Sequence, residues 1–174
     1  ILTAVIVAYG VNSPTVELSR DVMLTAVLIA AAIMVPTQFY FSGLSDRIGR
    51  KRVYQWGAIL TGLWGFALFP LIDTGSAYAI VLAVSLGLVF LGMQYGPQAA
   101  FFTELFSTEV RYSGASLGYQ LGAIVGGALA PTIAVLLWNN FGIFYVSLYI
   151  ALAAALTLLS LSALTETQGK DLTE

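Results

Sequence analysis

Of the 174 residues, 59 % are apolar or aromatic and 9 % are charged, whereas a soluble domain is about a quarter charged, which excludes a soluble globular chain. With no Cys and no His there is no disulfide, thiolate nucleophile, imidazole base or zinc-type ligand set, so most enzyme chemistry is excluded and neither a cofactor nor a metal is expected. A formal net charge of −2, with a single basic loop, excludes nucleic acid as a partner.

The 7 basic and 9 acidic residues are segregated. They leave uncharged stretches of 24 residues after Asp21, 20 after Arg52, 30 after Asp73 and 54 after Arg111. A bilayer is crossed by about 20 residues of helix. Residues 1 to 11 are apolar but make only about 16 Å of helix against a hydrocarbon core of about 30 Å, so a truncated first helix and a fragment of a longer chain are expected. No charged region precedes an apolar stretch, so no signal peptide is expected. Asn12-Ser13-Pro14 is turn chemistry. The second span is expected over Ser19 to Ser42, the third over Tyr54 to Ile72 and the fourth over Ala77 to Phe102. The 54-residue stretch is too long for one helix. Trp138-Asn139-Asn140-Phe141-Gly142 divides it into a fifth span, Ser113 to Leu137, and a sixth, Ile143 to Leu164. This predicts an all-α integral membrane domain over residues 1–164 and a polar tail over 165–174.

Lys and Arg near membrane ends stay in the cytoplasm. Arg47, Arg50, Lys51 and Arg52 follow the second span, Arg111 follows the fourth and Lys170 lies in the tail, while the other side holds only Arg20. The 43–53 loop, the 103–112 loop and the C-terminus are therefore expected in the cytoplasm of a multi-pass inner or plasma membrane protein. Trp138 and Tyr78 are expected near the outer interface.

Within the spans, Gly114, Gly118, Gly122 and Gly126 repeat every four residues and continue into Ala130. They form one ridge that lets a neighbouring backbone approach, either as plain helix packing or as a smooth surface on which one bundle rocks against another. Gly57, Thr61 and Gly65 are a weaker version. In the fourth span, Pro97 removes the amide that would bond the Met93 carbonyl, and a kink is expected. Gln94 and Gln98 share a face with Tyr95 beside them. That face either lines an aqueous cavity or glues helices together. Gln38, Tyr119 and Gln120 are further polar candidates in uncharged spans. No carboxylate or base lies deep in a span, so any proton-coupling group is expected elsewhere in the full protein.

The most specific signal is Ser42-Gly43-Leu44-Ser45-Asp46-Arg47-Ile48-Gly49-Arg50-Lys51-Arg52. It resembles the motif G-x-L-a-D-R-x-G-R-[RK] of the major facilitator superfamily, with Ser42 where the motif begins with Gly. Pro97 to Phe106, followed by Arg111 to Gln120, is similar to the metabolite:proton symporters of that superfamily. Glu166-Thr167-Gln168-Gly169-Lys170 is similar to the P-E-T-K-G ending of related porters, with Thr165 in place of Pro and Gln168 in place of Lys. The resemblance spans the whole chain. It implies helices seven (partial) to twelve, the C-terminal half of a twelve-helix transporter whose N-terminal half is missing. It also implies proton symport of a carboxylate or zwitterion such as a dicarboxylate, shikimate-like acid, proline or betaine. Asp46, Arg47, Gly49, Arg50, Glu104 and Arg111 are then the gate. Asp46 would sit at a helix N-terminus, either that of the fifth span near Ser113 or that of a counterpart in the missing half. Arg47 or Arg50 would pair with Glu104. The chain alone is not expected to transport. The rival readings are a channel-like or structural bundle, which has no use for the ordered loop, and an intramembrane enzyme, which has no groups to work with.

Overall fold

The computed structural model describes residues 2–12 and 19–167. The turn at Ser13-Pro14 and the tail from Gln168 onward lie outside the described residues.

A short helix, α1 (Leu2–Asn12), precedes four long ones, α2 (Arg20–Ile48), α3 (Arg50–Asp73), α4 (Ala77–Glu104) and α7 (Ile143–Ala163). Between α4 and α7 runs a fifth long helical segment made of three pieces: α5 (Arg111–Ala123), a π-helical segment (Ile124–Leu129) and α6 (Ala130–Phe141). These five segments are long and apolar enough to cross a membrane, matching the five full spans expected. Local chemistry sets their ends. The Ser19 hydroxyl accepts from the Val22 amide (3.4 Å) at the start of α2, with Asp21 in the positive first turn. Between α3 and α4, Gly75 turns the chain at φ 68° and Thr74 donates to the Leu71 carbonyl. Between α6 and α7, Gly142 does so at φ 100°. Each of these left-handed positions is one that glycine takes without steric cost.

The 43–53 segment is not the loop expected. Helix α2 runs to Ile48 and α3 begins at Arg50, leaving Gly49 at φ 110° as the whole connection. At about 43 Å, α2 is longer than the hydrocarbon core is thick, so its charged last turn projects beyond it while staying helical. The fourth helix also runs unbroken through Pro97 to Glu104.

The core lies at the end away from the basic residues. Val5, Ile6 and Tyr9 of α1, Met23 and Ala26 of α2, Leu68, Phe69 and Ile72 of α3, Ile80 and Val84 of α4, Ala134 of α6 and Val146 of α7 are all buried there. The Tyr9 ring meets Phe69 and Trp138 edge-on at 5.2 Å each, and its hydroxyl donates to Asp73 Oδ1 at 2.7 Å, which ties α1 to the end of α3.

Glycine does the close packing, though not the glycines of the expected ridge. A Cβ on Gly96 would stand 2.8 Å from the Gln38 carbonyl oxygen and 2.9 Å from the Ser42 amide nitrogen, and one on Gly92 3.3 Å from Thr37 Oγ1. Thus Gly92 and Gly96 of α4 seat directly on α2. Gly57 faces Met93 and Gln94, while Gly62 and Gly65 face Ala154 and Ile150 of α7. The weaker pattern in α3 is therefore divided between two neighbours: Gly57 and Thr61 meet α4, whereas Gly65 meets α7. By contrast, a Cβ on Gly118, Gly122 or Gly126 would meet nothing within 4 Å among the described residues, and one on Gly114 would run into the Phe106 ring at 2.6 Å. A four-residue spacing makes a ridge without saying what covers it. Within this bundle the α5 ridge is open.

Candidate functional site

At the basic end, four segments meet around Arg50. Gly49 is buried, and its φ of 110° folds the start of α3 back over the last turn of α2. Arg50, the first residue of α3, thereby reaches Asp46 one turn earlier, with Nη1 to Oδ1 at 2.6 Å. Its Nε donates to both oxygens of Glu104, the last residue of α4, at 2.7 and 2.8 Å. Arg50 also reaches the buried Ser45 hydroxyl at 3.4 Å. The two ion pairs differ in setting. The Arg50 and Glu104 side chains keep 15 % and 13 % of their exposure, whereas Asp46 keeps 56 %. The Glu104 pair is therefore the strong, largely dehydrated contact, and the Asp46 pair is a solvated one of small net worth.

The fourth segment is the stretch after α7. Helix α3 has no side-chain cap from its own N-cap residue, Gly49. Instead Glu166 Oε1 accepts from the Arg50 amide at 3.0 Å and the Lys51 amide at 3.3 Å. A carboxylate is thus placed on the positive end of the helix. Thr167 is 1 % exposed and donates through Oγ1 to Glu104 Oε2 at 2.6 Å. Lys51 Nζ donates to the Leu164 carbonyl. Glu104 is held from two sides, by Arg50 and by Thr167. Together these contacts close the basic end of the bundle, and no two of α2, α3, α4 and residues 164–167 can separate there without breaking part of the set.

Of the residues singled out in sequence, the structure joins Asp46, Gly49, Arg50 and Glu104. Between the two arginines that were candidates for Glu104, it uses Arg50, while Arg47 is exposed. Asp46 lies in the last turn of its own helix, α2. Arg111 opens α5 and donates to the Phe106 carbonyl at 3.3 Å, fastening the turn that precedes its helix. The polar candidates are scattered. Gln94 donates to Thr61 of α3 at 3.0 Å and so glues two helices. Gln38 packs against the Gly92 position, Gln98 is half-buried, and Tyr95, Tyr119 and Gln120 are exposed. Glu166 and Thr167 were legible only as part of a tail pattern. Their partners lie 116 and 63 residues away, a separation that no local spacing encodes.

The sequence profile of the Major Facilitator Superfamily matches residues 1–173. The inner membrane metabolite transport protein YhjE of Escherichia coli K12 is 39 % identical over 153 residues, which is 86 % of this chain and 34 % of that protein. The shikimate transporter of the same organism is 32 % identical over 163 residues, 92 % of this chain and 37 % of that protein. The ectoine/proline transporter ProP of Corynebacterium glutamicum is 29 % identical over 148 residues, 84 % of this chain and 29 % of that protein. The chain thus spans about a third of the length of these curated relatives. No solved structure matches it. Five membrane-length helical segments, a basic end closed around Arg50 and a profile match over nearly every residue lead to one conclusion: the chain belongs to the Major Facilitator Superfamily.

Proposed function

We propose that this chain is the C-terminal half of a secondary transporter that moves a small organic solute, a carboxylate or a zwitterion, by alternating access with proton symport. The relatives named for shikimate and for ectoine and proline support that substrate range. In this reading residues 1–164 are the transmembrane bundle, and the 165–174 tail contributes Glu166 and Thr167 to a cytoplasmic gate. The open glycine face of α5 is covered by the other half of the transporter. No carboxylate or base lies deep in the spans, so in this reading the proton-coupling residue belongs to the other half.

The observation that carries the proposal is the Arg50 cluster. Here one guanidinium is shared between a half-buried carboxylate on another helix and an exposed one on the preceding turn. Such a contact holds one conformation by a modest free energy and is released in the other. The test is Asp46→Asn in the intact transporter. Because Asp46 is half-exposed, folding and substrate binding should stay within about 0.5 kcal/mol of the parent, while solute uptake into vesicles slows by about tenfold or more. Unchanged uptake in that variant reduces the cluster to a topology anchor. Failure of the intact protein to show saturable uptake leaves a channel-like or structural bundle.

Topology is tested separately. Ser45 lies on the motif but is buried, so Arg52, which is exposed on the same side, is the better label position. Single cysteines at Arg52 and Gln168 should react with an impermeant reagent from the cytoplasmic face, and one at Asn139 from outside. Labelling of Arg52 and Asn139 from one face refutes the arrangement.

A further inference from the structure

Three cations, Arg50, Lys51 and Arg52, open α3. They stand at the positive end of the helix, where cations are disfavoured, and no acidic residue lies in its first turn. The protein offsets two of the three. Arg50 is held by Asp46 and Glu104, and Lys51 donates to the Leu164 carbonyl. Arg52 is exposed, and among the described residues it makes no hydrogen bond or ion pair. Arg47 is exposed as well, but it lies in the last turn of α2, at the negative end of that helix. Arg52 is therefore the cation of this junction whose charge the described residues leave unbalanced.

Its depth and direction say what can balance it. The apolar part of α3, Tyr54 to Ile72, makes about 28 Å of helix against a hydrocarbon core of about 30 Å. Arg52 thus stands just outside the core, at the level of the lipid phosphates. Two residues, or about 200°, round the helix from Arg50, it faces away from the α2 and α4 carboxylates that Arg50 holds. It is turned away too from the side of α4, on which α5 packs with the glycine face proposed above to be covered by the other half. Trp56 follows one turn deeper on the same face, 58 % exposed, and its indole N–H meets no acceptor among the described residues. A Trp at this depth sets its ring among acyl chains and its N–H against a polar headgroup atom. Leu63 and Phe66, both exposed, continue the face, and the Phe66 ring meets Phe144 of α7 at 5.9 Å. The other sides of α3 are occupied, by α4 at Gly57 and Thr61 and by α7 at Gly62 and Gly65. A cation, a donor one turn below it and an apolar track beneath follow the order of a phospholipid: phosphate, ester region, acyl chain.

We propose that this face of α3 binds one anionic phospholipid of the leaflet at the basic end, with its phosphate on Arg52, its ester region at Trp56 and an acyl chain along Leu63 and Phe66. A zwitterionic headgroup would bring an ammonium of its own to a helix end that already carries three cations, so the site favours a headgroup with net negative charge. The test uses the intact transporter, with native mass spectrometry reading the binding of added phosphatidylglycerol against phosphatidylcholine. The first phosphatidylglycerol should bind about tenfold more tightly, and Arg52→Gln should remove most of that preference. Trp56→Phe keeps a ring and drops the N–H, and should weaken the first phosphatidylglycerol by about threefold. Arg47→Gln takes the same charge from the same end but away from this face, and should cost less than about twofold. In vesicles of phosphatidylcholine with a minor share of phosphatidylglycerol, a benzophenone side chain placed at Leu63 should capture phosphatidylglycerol beyond that share. One placed at Leu152 of α7, similarly exposed, should capture the two lipids in proportion. Equal affinity for the two lipids, equal losses in Arg52→Gln and Arg47→Gln, or capture at Leu63 that is proportionate or unchanged by Arg52→Gln overturns the site. These readouts need no solute, so failure of the transport reading leaves the lipid site standing.

Discussion

Arg50→Gln in the intact transporter should lower stability by about 2–3 kcal/mol, because it strands the Glu104 carboxylate in a site where that side chain keeps 13 % of its exposure. The figure sits below the range for fully buried pairs because both partners keep some contact with water. Thermal unfolding in detergent, followed by Trp fluorescence, measures it. On the gating reading proposed above, the same free energy withdrawn from the closed conformation shifts its equilibrium by about 30- to 160-fold, and uptake should fall by at least about tenfold. The second variant separates the two effects. Arg50→Gln/Glu104→Gln removes the stranded charge, and a glutamine at 104 still accepts from Thr167, so most of the stability should return while uptake stays low. Recovery of uptake together with stability would show that the cluster matters only for folding.

Gly96→Val should be the most damaging single change in the bundle. A Cβ there would stand 2.8 and 2.9 Å from backbone atoms of α2, neither of which is the end of a flexible side chain. Either α2 and α4 separate over their shared length or the variant does not accumulate. We expect a loss of at least about 3 kcal/mol, at the upper end of overpacking costs. Gly96→Ala already meets the clash and should be measurably destabilised. The control is Gly43→Ala, an exposed position inside α2 where a Cβ meets nothing within 4 Å. It should be neutral or stabilising by about 0.5–1 kcal/mol, as in any exposed helix interior. Equal melting temperatures for Gly96→Ala and Gly43→Ala would refute the packing described for α4 on α2.

The contrast between these glycines marks how far sequence reasoning reaches. The spans were legible because charges cannot sit in hydrocarbon, so the gaps between Asp21, Asp46, Arg52, Asp73, Glu104 and Arg111 fixed the helices to within a few residues. The charged 43–53 segment read as a loop because polarity marks where the membrane ends, whereas hydrogen bonding decides where a helix ends. The backbone stays helical except at Gly49. Gly114, Gly118, Gly122 and Gly126 make the longer repeat, yet it is the single pair Gly92 and Gly96 that seats on α2. Spacing finds a ridge, but only tertiary structure finds its groove. In the cluster around Arg50, Asp46, Arg50 and Glu104 were legible through an ordered motif. Glu166 and Thr167 were not, because a carboxylate that caps a helix 116 residues earlier leaves no periodic trace.

That long-range cap also orders events during synthesis. Helix α3 enters the membrane with its first amides lacking the carboxylate that satisfies them, and Glu166 is made 116 residues later. At typical elongation rates of about 5–20 residues per second, the interval is of the order of ten seconds. Arg50 and Asp46 meet early within one helix junction, Glu104 joins when α4 is complete, and Thr167 and Glu166 come last. The basic end is therefore sealed only once translation of this segment is nearly finished. A chain cut short after Leu164 keeps every helix and the Arg50 contacts to Asp46 and Glu104, but it has neither the carboxylate cap on α3 nor the Thr167 bond to Glu104.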